Sequence, residues 1–229
     1  MNKFSLTEVC KDAGRIGISA HIRPDGDALG SCMALYHYLK NAMPDVTIKV
    51  FLETPPSAFA KMPDLDIIDS KFEEEEPFDV FFLLDVSKDE KRLGASYVYA
   101  DRAKYVVNID HHISNTSFAD VNHIVAYASS TCEVLYDLFE EEKITDEIAK
   151  ALYLGIVHDT GVFKYSNTSR HTLEIAGKLI ERGIPFSQII DETFYEKTYI
   201  QTLVCGRAVS ESVRFMDEKC IFCGTELSG

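Results

Sequence analysis

Four short segments of this chain carry closely spaced aspartates and histidines, the residue types that most often bind hard or intermediate divalent metals. The segments are His21-Ile-Arg-Pro-Asp25-Gly-Asp27, Phe81-Phe-Leu-Leu-Asp85, Asp110-His111-His112 and His158-Asp159-Thr-Gly161. Carboxylates and neutral imidazoles suit Mn²⁺ and related first-row ions, and two such ions can stabilise both the attacking and the leaving oxygen of a phosphoryl transfer. No cysteine lies in any segment, which disfavours a zinc–thiolate or iron–sulfur site. The chemistry that these residues predict is two-metal phosphoryl transfer.

Each segment lies where an apolar run meets a turn, and such ends meet at one edge of an α/β sheet, where ligands usually bind. In the first segment Asp25 and Asp27 flank a glycine, and a tight glycine-containing bend can turn both carboxylates toward one region. His21 ends the preceding strand, and Asp85 and Asp110 end two further predicted strands. We therefore expect one cluster at the carboxyl edge of a sheet.

The elements that position this cluster are predicted from hydrophobic patterning. Strands are expected over residues 15–21, 47–52, 80–85 and 105–110, and helices over 26–42, 129–142, 145–157 and 173–182. Strands that alternate with helices indicate an α/β fold with a mostly parallel, Rossmann-like sheet and helices on both faces.

The pattern changes after Pro185. Residues 186–213 are predicted to form one continuous helix, and residues 212–223 a strand that starts a new unit. We therefore expect a catalytic domain over residues 1–190, a linker helix over 191–211 and the beginning of a second, substrate-binding domain over 212–229.

Length and composition favour a soluble enzyme. The 229 residues, 46% of them hydrophobic, are enough for one full core and a further fragment. No apolar run approaches the roughly 20 residues of a membrane span, and the N-terminus lacks the features of a secretory signal, so a cytoplasmic location is expected. The six scattered cysteines predict reduced, buried thiols. The isolated Cys220-Ile-Phe-Cys223 is interpreted as structural rather than as a zinc or redox site.

The formal charge of -14 argues against a surface that binds long nucleic acids, because Lys and Arg normally supply that affinity. A phosphate substrate must then be attracted locally, by bound cations. The four glutamates at residues 73–76 are interpreted as a solvated loop rather than a metal site.

Each motif also has an ordinary structural explanation. Asp-Gly-Asp is a common turn, a strand-end aspartate is often a helix cap, paired histidines occur in cores, and Asp159-Thr-Gly161 is compatible with a simple turn after a helix. The occurrence of all four motifs in this order is what favours a metal centre.

Together, His21-x-x-x-Asp25-x-Asp27, Asp85, Asp110-His111-His112 and Asp159 resemble the four signature motifs of the DHH phosphoesterase superfamily. The longer strings at residues 21–31 and 159–169 resemble the branch of nanoRNases that also dephosphorylate adenosine 3′,5′-bisphosphate. The resemblance covers about residues 1 to 190. It implies two Mn²⁺ ions, for which Mg²⁺ or Co²⁺ are substitutes.

The resemblance also implies a role for each of these residues. The implied ligand sets are His21, Asp25 and Asp85 for one ion, and Asp27, Asp85, His111 and Asp159 for the other. Asp85 would bridge the ions, Asp110 would orient the histidines, and His112 would contact phosphate or support a ligand. The residues implied in catalysis itself are Asp85, His111 and His112.

The implied function is hydrolysis of short oligoribonucleotides, adenosine 3′,5′-bisphosphate or both, by water that the two metals activate. The expected partner is such a substrate, with no membrane contact, and a homodimer is left open. One departure is that this branch carries a second domain with a Gly-Gly-Gly-His loop, whereas here no two glycines are adjacent and the last histidine is His171. Two alternatives remain: an inorganic pyrophosphatase or exopolyphosphatase of the same superfamily, or a non-catalytic metal-binding module.

Overall fold

Six parallel strands form the central sheet of the molecule. The structure is a computed structural model that describes residues 5–87 and 90–224. The strands are β1 (Arg15–Ser19), β2 (Thr47–Phe51), β3 (Ile68–Asp69), β4 (Val80–Leu84), β5 (Val106–Asp110) and β6 (Val121–Ile124). Their order in the sheet is β3-β2-β1-β4-β5-β6, and every neighbouring pair is parallel. The predicted α/β fold with a parallel sheet is confirmed.

Helices follow most of the strands. They are α1 (Leu6–Cys10), α2 (Gly26–Ala42), α3 (Glu90–Leu93), α4 (Ser96–Arg102), α5 (Thr131–Leu138), α6 (Asp146–Asp159), α7 (Arg170–Glu181), α8 (Phe186–Ile190) and α9 (Tyr199–Ser210). Short 3₁₀ turns occur at Ser57–Phe59, Leu65–Ile67 and Glu141–Lys143, and Asp191–Tyr195 forms a π-helical turn. Within the described ranges, no helix is both long enough and apolar enough to cross a membrane.

Strand β4 shows why the sheet is covered on both faces. All five of its residues are buried, and their side chains alternate between the faces. Val80, Phe82 and Leu84 belong to the large core formed with α2, α5 and α6, whereas Phe81 and Leu83 pack in a second core beneath α3 and α4. A strand buried on both faces reads as a continuous apolar run, which is the pattern that predicted it.

Two glycines allow α2 and α6 to pack closely. A Cβ atom on Gly30 of α2 would lie 2.4 Å from the carbonyl oxygen of Ala151 in α6, and one on Gly155 of α6 would lie 2.6 Å from Asp27 Oδ1 in α2. This close approach holds the N-terminus of α2, with its two aspartates, near the C-terminus of α6, which ends at Asp159.

The predicted helix over residues 129–142 is shorter in the structure. Helix α5 ends at Leu138, and Phe139 adopts an extended conformation. The Phe139 ring stacks on Tyr38, with ring centroids 4.0 Å apart and planes 3° from parallel. Packing against α2 therefore takes this residue out of the helix.

The chain contacts divide the molecule into a unit through Phe194 and a unit from Tyr195 onward. The continuous helix predicted over residues 186–213 is wrong, because α9 is a separate helix that begins after Thr198. The Thr198 Oγ1 atom accepts a hydrogen bond from Gln201 N (3.1 Å), and Gln201 Oε1 accepts one from Thr198 N (2.9 Å). This capping box starts a new helix at a position that periodicity alone does not reveal.

The single strand predicted over residues 212–223 is also wrong. Strands β7 (Val213–Phe215) and β8 (Cys220–Phe222) form an antiparallel hairpin. The connecting residues Met216, Asp217 and Glu218 have φ values of 53°, 54° and 64°. The roles predicted for residues 191–211 as a linker and 212–229 as the start of a substrate-binding domain stay predictions.

The six cysteines are free thiols. Those of the first unit, Cys10, Cys32 and Cys132, are buried as predicted, and burial raises the pKa of Cys10 to about 12. The prediction of burial is wrong for the second unit, where Cys205 is exposed and Cys220 and Cys223 are partly exposed.

Candidate metal centre

The strand order reverses between β1 and β4, because the chain runs outward through β2 and β3 and then returns to the other side of β1. Ligands of such sheets bind at the carboxyl ends of the strands at this point. The structure places all four predicted segments there. The donor atoms form three overlapping groups, each within 4.8 Å: His21, Asp25 and Asp85; Asp27, His111 and Asp159; Asp85, Asp110, His111 and His112.

His21, just beyond β1, joins the first group. Its Nε2 atom lies 3.4 Å from Asp85 Oδ2 and 3.6 Å from Asp25 Oδ2. Its Nδ1 atom lies 2.8 Å from the carbonyl oxygen of Ile22, to which a protonated Nδ1 donates. This contact leaves Nε2 as the atom that faces the carboxylates.

Asp25 is the N-cap of α2. Its Oδ1 atom accepts hydrogen bonds from the backbone N–H groups of Asp27 and Ala28, both at 3.0 Å. Residues of this type cap helices because their side-chain oxygens satisfy the unpaired first N–H groups. The cap orients the second oxygen, Oδ2, toward His21.

The side chain of Asp27, which belongs to α2, is buried against the N-terminus of α5. Its Oδ2 atom accepts from Thr131 N at 2.6 Å, and its Oδ1 atom accepts from Cys132 N at 3.0 Å. A helix N-terminus favours a carboxylate, but burial and the negative charges of Asp85 and Asp159 raise the pKa of Asp27. The negative charges around Asp27 thus outweigh the positive charge that His111 contributes.

His111, after β5, faces three carboxylates. Its Nε2 atom lies 3.4 Å from Asp159 Oδ2, 3.5 Å from Asp85 Oδ1 and 3.9 Å from Asp27 Oδ2. Its Nδ1 atom lies 3.3 Å from the carbonyl oxygen of Ala128, which orients the ring. One imidazole nitrogen is therefore shared among carboxylates from three different elements.

Asp85 lies between the two groups. Its Oδ2 atom faces His21, while its Oδ1 atom lies 3.5 Å from both His111 Nε2 and His112 Nδ1. Thr131 Oγ1 donates to the same Oδ1 atom at 3.2 Å. Asp85 is 2% exposed and has a φ of 54°, a left-handed conformation that an aspartate adopts at some cost. The two oxygens of Asp85 thus serve two separate sets of donors.

Asp110, the last residue of β5, accepts several hydrogen bonds from its neighbours. Its Oδ1 atom accepts from the backbone N–H groups of His111 (2.8 Å) and His112 (3.2 Å), and lies 2.7 Å from His112 Nδ1. Its Oδ2 atom accepts from Asn115 Nδ2 at 2.6 Å. Three of these donors share Oδ1 and one reaches Oδ2, so most of the acceptor capacity of this carboxylate is used in hydrogen bonds to His111, His112 and Asn115.

The electrostatics of the centre show a deficit of cations. Burial opposes protonation of His21, yet hydrogen bonds to Asp25 and Asp85 raise its pKa to about 10. Burial likewise opposes protonation of His111, and hydrogen bonding to Asp85 with the charge of Asp27 raises its pKa to about 10. Protons therefore balance the carboxylates, and metal binding at such ligands displaces those protons.

The donor set fits divalent first-row ions. Each of the first two groups offers one imidazole nitrogen and two carboxylate oxygens, which suits ions such as Mn²⁺. Cys32 and Cys132 lie nearby, but burial raises the pKa of both thiols well above the usual value. Neither thiol belongs to the donor groups that the described residues form.

Sequence reasoning did not assign roles to several residues that shape the centre. Thr131 reads as a helix-start residue, and only the fold brings its hydroxyl to Asp85. Asn167 Nδ2 donates to the carbonyl oxygens of Ser129 (3.0 Å) and Asp159 (3.1 Å), which ties the end of α6 to the start of α5. The Asn, Thr and Ser residues that follow the fourth segment are the signal from which a structural role for Asn167 could have been predicted.

His158, the first residue of the fourth segment, lies outside the centre. Its Nε2 atom lies 2.9 Å from Thr193 Oγ1. Its ring contacts Phe59 and Phe194, with centroid distances of 5.1 and 5.4 Å. It packs beneath the site, where burial lowers its pKa.

Several known proteins are similar to this chain in sequence or in structure. The curated "Bifunctional oligoribonuclease and PAP phosphatase NrnA" of Thermus thermophilus is 29% identical over 189 residues, which cover 81% of this chain and 56% of that protein. The protein of the same name from Bacillus subtilis is 30% identical over 188 residues, covering 80% and 58%. The chain spans somewhat more than half the length of these relatives.

A crystal structure of an exopolyphosphatase-related protein from Bacteroides fragilis aligns with a TM-score of 0.80 at 26% identity, covering 92% of this chain and 65% of that one. The model of the "DHH family, N-terminal domain" matches residues 15–156, more than half of the chain and the first three of the four segments. The chain therefore belongs to the DHH family.

Proposed function

We propose that this chain is a two-metal phosphoesterase that hydrolyses short oligoribonucleotides and adenosine 3′,5′-bisphosphate, with Mn²⁺ as its metal. The observation that carries the proposal is Asp85, a buried carboxylate whose two oxygens face two separate groups of metal-binding side chains. The two relatives, whose names join oligoribonuclease and PAP phosphatase, support this substrate class.

We assign His21, Asp25 and Asp85 to one ion, and Asp27, Asp85, His111 and Asp159 to the other. Distances of 3.4 to 3.9 Å between the facing donor atoms support this assignment, because they leave space between the atoms for an ion. When bound, the ions would activate water and offset the charge that develops on the phosphoryl oxygens.

His112 is assigned to the substrate rather than to a metal. Its Nδ1 atom is engaged by Asp110 at 2.7 Å, and its side chain remains 36% exposed. The hydrogen bond to Asp110 raises the pKa of His112, which favours the protonated ring that would donate to a phosphate oxygen. Asp110 and Asn115 hold the ring in place for that contact.

The test is a side-by-side assay of a short oligoribonucleotide, adenosine 3′,5′-bisphosphate and inorganic pyrophosphate, with Mn²⁺, Mg²⁺, Co²⁺ or a chelator present. We expect hydrolysis of the two nucleotide substrates that requires added metal and is greatest with Mn²⁺. Metal binding without turnover of any substrate would instead identify a non-catalytic module.

A second candidate is hydrolysis of inorganic polyphosphate or pyrophosphate, which the exopolyphosphatase-related structural relative favours. The same assay separates the two candidates. A rate on pyrophosphate or short polyphosphate that exceeds the rate on both nucleotide substrates would support this alternative.

A further inference from the structure

A cavity of about 260 Å³ opens directly beside the candidate metal centre. Its walls come from the carboxyl ends of β1 and β2, the segment after β3, and the residues that lead into α4. The lining includes His21, Glu53, Ser70, Phe72 and Ser96. Of the proposed metal ligands, His21 alone is among the residues that line this cavity.

His21 separates the cavity from the metal centre. One edge of its ring, Nε2, faces Asp25 and Asp85, while the other, Nδ1, is bonded to the carbonyl oxygen of Ile22, which also lines the cavity. A group in the cavity would thus lie one imidazole ring away from the reacting phosphate. A substituent attached to that phosphate would therefore reach the cavity.

The aromatic wall is held in an unusual conformation. Phe72 has a φ of 55°, which is rare for a bulky residue, and its backbone N–H donates to Asp69 Oδ1 at 3.2 Å. Its ring leans on Phe51 and Tyr99, with centroid distances of 6.1 and 6.4 Å. Backbone strain of this kind is often retained where it positions a side chain for function.

The polar wall favours hydrogen-bond donors over anions. Glu53 is exposed, and its Oε2 atom accepts from the backbone N–H of Arg23 at 2.8 Å. Its Oε1 atom accepts no hydrogen bond from the described residues. At the floor, Ser19 and Ser96 satisfy each other, with 2.6 Å between their Oγ atoms. A second phosphate would meet the Glu53 carboxylate, whereas the amino group of a base could donate to it.

We propose that this cavity binds the nucleobase of the nucleotide whose phosphate lies at the metal centre. The base stacks on Phe72 and donates its exocyclic amino group to Glu53. The inference rests on the proposed phosphoesterase function and adds a specificity site for the base within the DHH domain.

The experiment compares adenosine 5′-monophosphate with ribose 5-phosphate, which lacks the base, by calorimetric titration of the Mn²⁺-loaded protein. Stacking of one base on an aromatic ring is worth about 1–3 kcal/mol, so the nucleotide should bind at least about fivefold more tightly. Phe72→Leu should remove most of that preference and leave the affinity for ribose 5-phosphate unchanged. Phe118→Leu, which alters an aromatic wall of a different cavity, is the matched control and should keep the preference.

A second variant tests the polar wall without altering the packing. Glu53→Gln retains an acceptor for the Arg23 N–H but loses the charge. It should weaken binding of adenosine 5′-monophosphate and leave unchanged the binding of purine riboside 5′-monophosphate, which has no amino group.

Equal affinities for the nucleotide and for ribose 5-phosphate, binding of neither, or equal effects of Phe72→Leu and Phe118→Leu would overturn the proposal. Hydrolysis of bis(p-nitrophenyl) phosphate in the same preparation separates this failure from that of the proposed function. If that ester is hydrolysed but the base gives no preference, only the nucleobase site is wrong. If metal-dependent hydrolysis is absent, the phosphoesterase proposal itself fails.

Discussion

At the scale of single residues, the centre depends on carboxylates whose surroundings differ although their chemistry is the same. Asp110 accepts three hydrogen bonds at Oδ1 and one at Oδ2, from His111, His112 and Asn115, which supports its proposed orienting role. Asp85 accepts a hydrogen bond from the Thr131 hydroxyl and faces imidazoles on both sides. The hydrogen bonds that each carboxylate accepts thus differ, which supports an orienting role for Asp110 and the proposed bridging role for Asp85.

We predict that Asp85→Asn abolishes measurable hydrolysis and weakens both ions together, because an amide offers a single oxygen and no charge. Asp27→Asn should weaken mainly one ion. The measurement is the number of Mn²⁺ ions bound at equilibrium, read by elemental analysis after dialysis. Asp101→Asn, on the exposed surface of α4, is the control. An Asp85→Asn protein that keeps two ions at wild-type affinity would show that Asp85 does not bridge.

We predict that the two adjacent histidines, His111 and His112, differ in their effects on metal binding and on turnover. His112→Ala should retain both ions and lower kcat by about 10²–10³-fold, the loss typical of removing one group that stabilises charge in a transition state. His111→Ala should lose an ion, because its Nε2 atom lies among three carboxylates. Metal content and kcat are measured on both proteins. The opposite result, with metal lost only in His112→Ala, would place the ligand one residue later.

At the scale of elements, the centre is built where helix ends converge. The N-terminus of α2 supplies Asp25 and Asp27, the N-terminus of α5 binds Asp27 through two backbone N–H groups, and α6 ends at Asp159. This convergence requires α2, α5 and α6 to approach closely. Gly155 is the tightest point, because a Cβ atom there would lie 2.2 Å from the Sγ atom of Cys132 and 2.6 Å from Asp27 Oδ1.

We predict that Gly155→Ala destabilises the protein by about 1–3 kcal/mol, the usual cost of overpacking a core, and also weakens metal binding by displacing Asp27. Gly177→Ala, in the middle of α7 with open space where its Cβ would lie, should instead stabilise by about 0.4–1 kcal/mol. Denaturant unfolding and Mn²⁺ titration of both variants provide the comparison. Equal stabilities would mean that the helices separate without cost.

At the scale of the whole molecule, the chain carries a formal net charge of -14, although its site is proposed to take anionic substrates. Most nucleic-acid-binding proteins are basic, and salt weakens their binding because bound counterions are released on association. Here the long-range field repels the substrate, and attraction is confined to the metal centre. Added salt should therefore act with the opposite sign as long as the metals stay bound.

We predict that the KM for a short oligoribonucleotide falls as KCl rises from about 0.01 to about 0.15 M, since the screening length shortens from about 30 Å to about 8 Å. The assay keeps Mn²⁺ saturating at every salt concentration. Bis(p-nitrophenyl) phosphate, with a single charge, serves as the control and should show a smaller change. A KM that rises steeply with salt would indicate a basic binding surface that the net charge conceals.

Much of the fold followed from local patterns. The helix predicted over residues 26–42 is found as Gly26–Ala42, and the apolar run of β4 is buried on both faces. The first three segments lie at one sheet edge because they follow the carboxyl ends of the parallel strands β1, β4 and β5. The fourth segment ends helix α6, so its proximity to the others depends on how that helix packs. Their assignment as metal ligands stays a prediction.

Other features depended on contacts between residues far apart in the chain, and no local pattern encodes them. Thr131 reaches Asp85 across 46 positions, and its backbone N–H reaches Asp27 across 104. Phe139 leaves its helix to stack on Tyr38. The sequence by itself thus determined the types of the elements and the edge at which the acidic and histidine residues gather. The tertiary structure decided which oxygen of each carboxylate is already satisfied and where a cavity opens, because both depend on how closely separate elements pack.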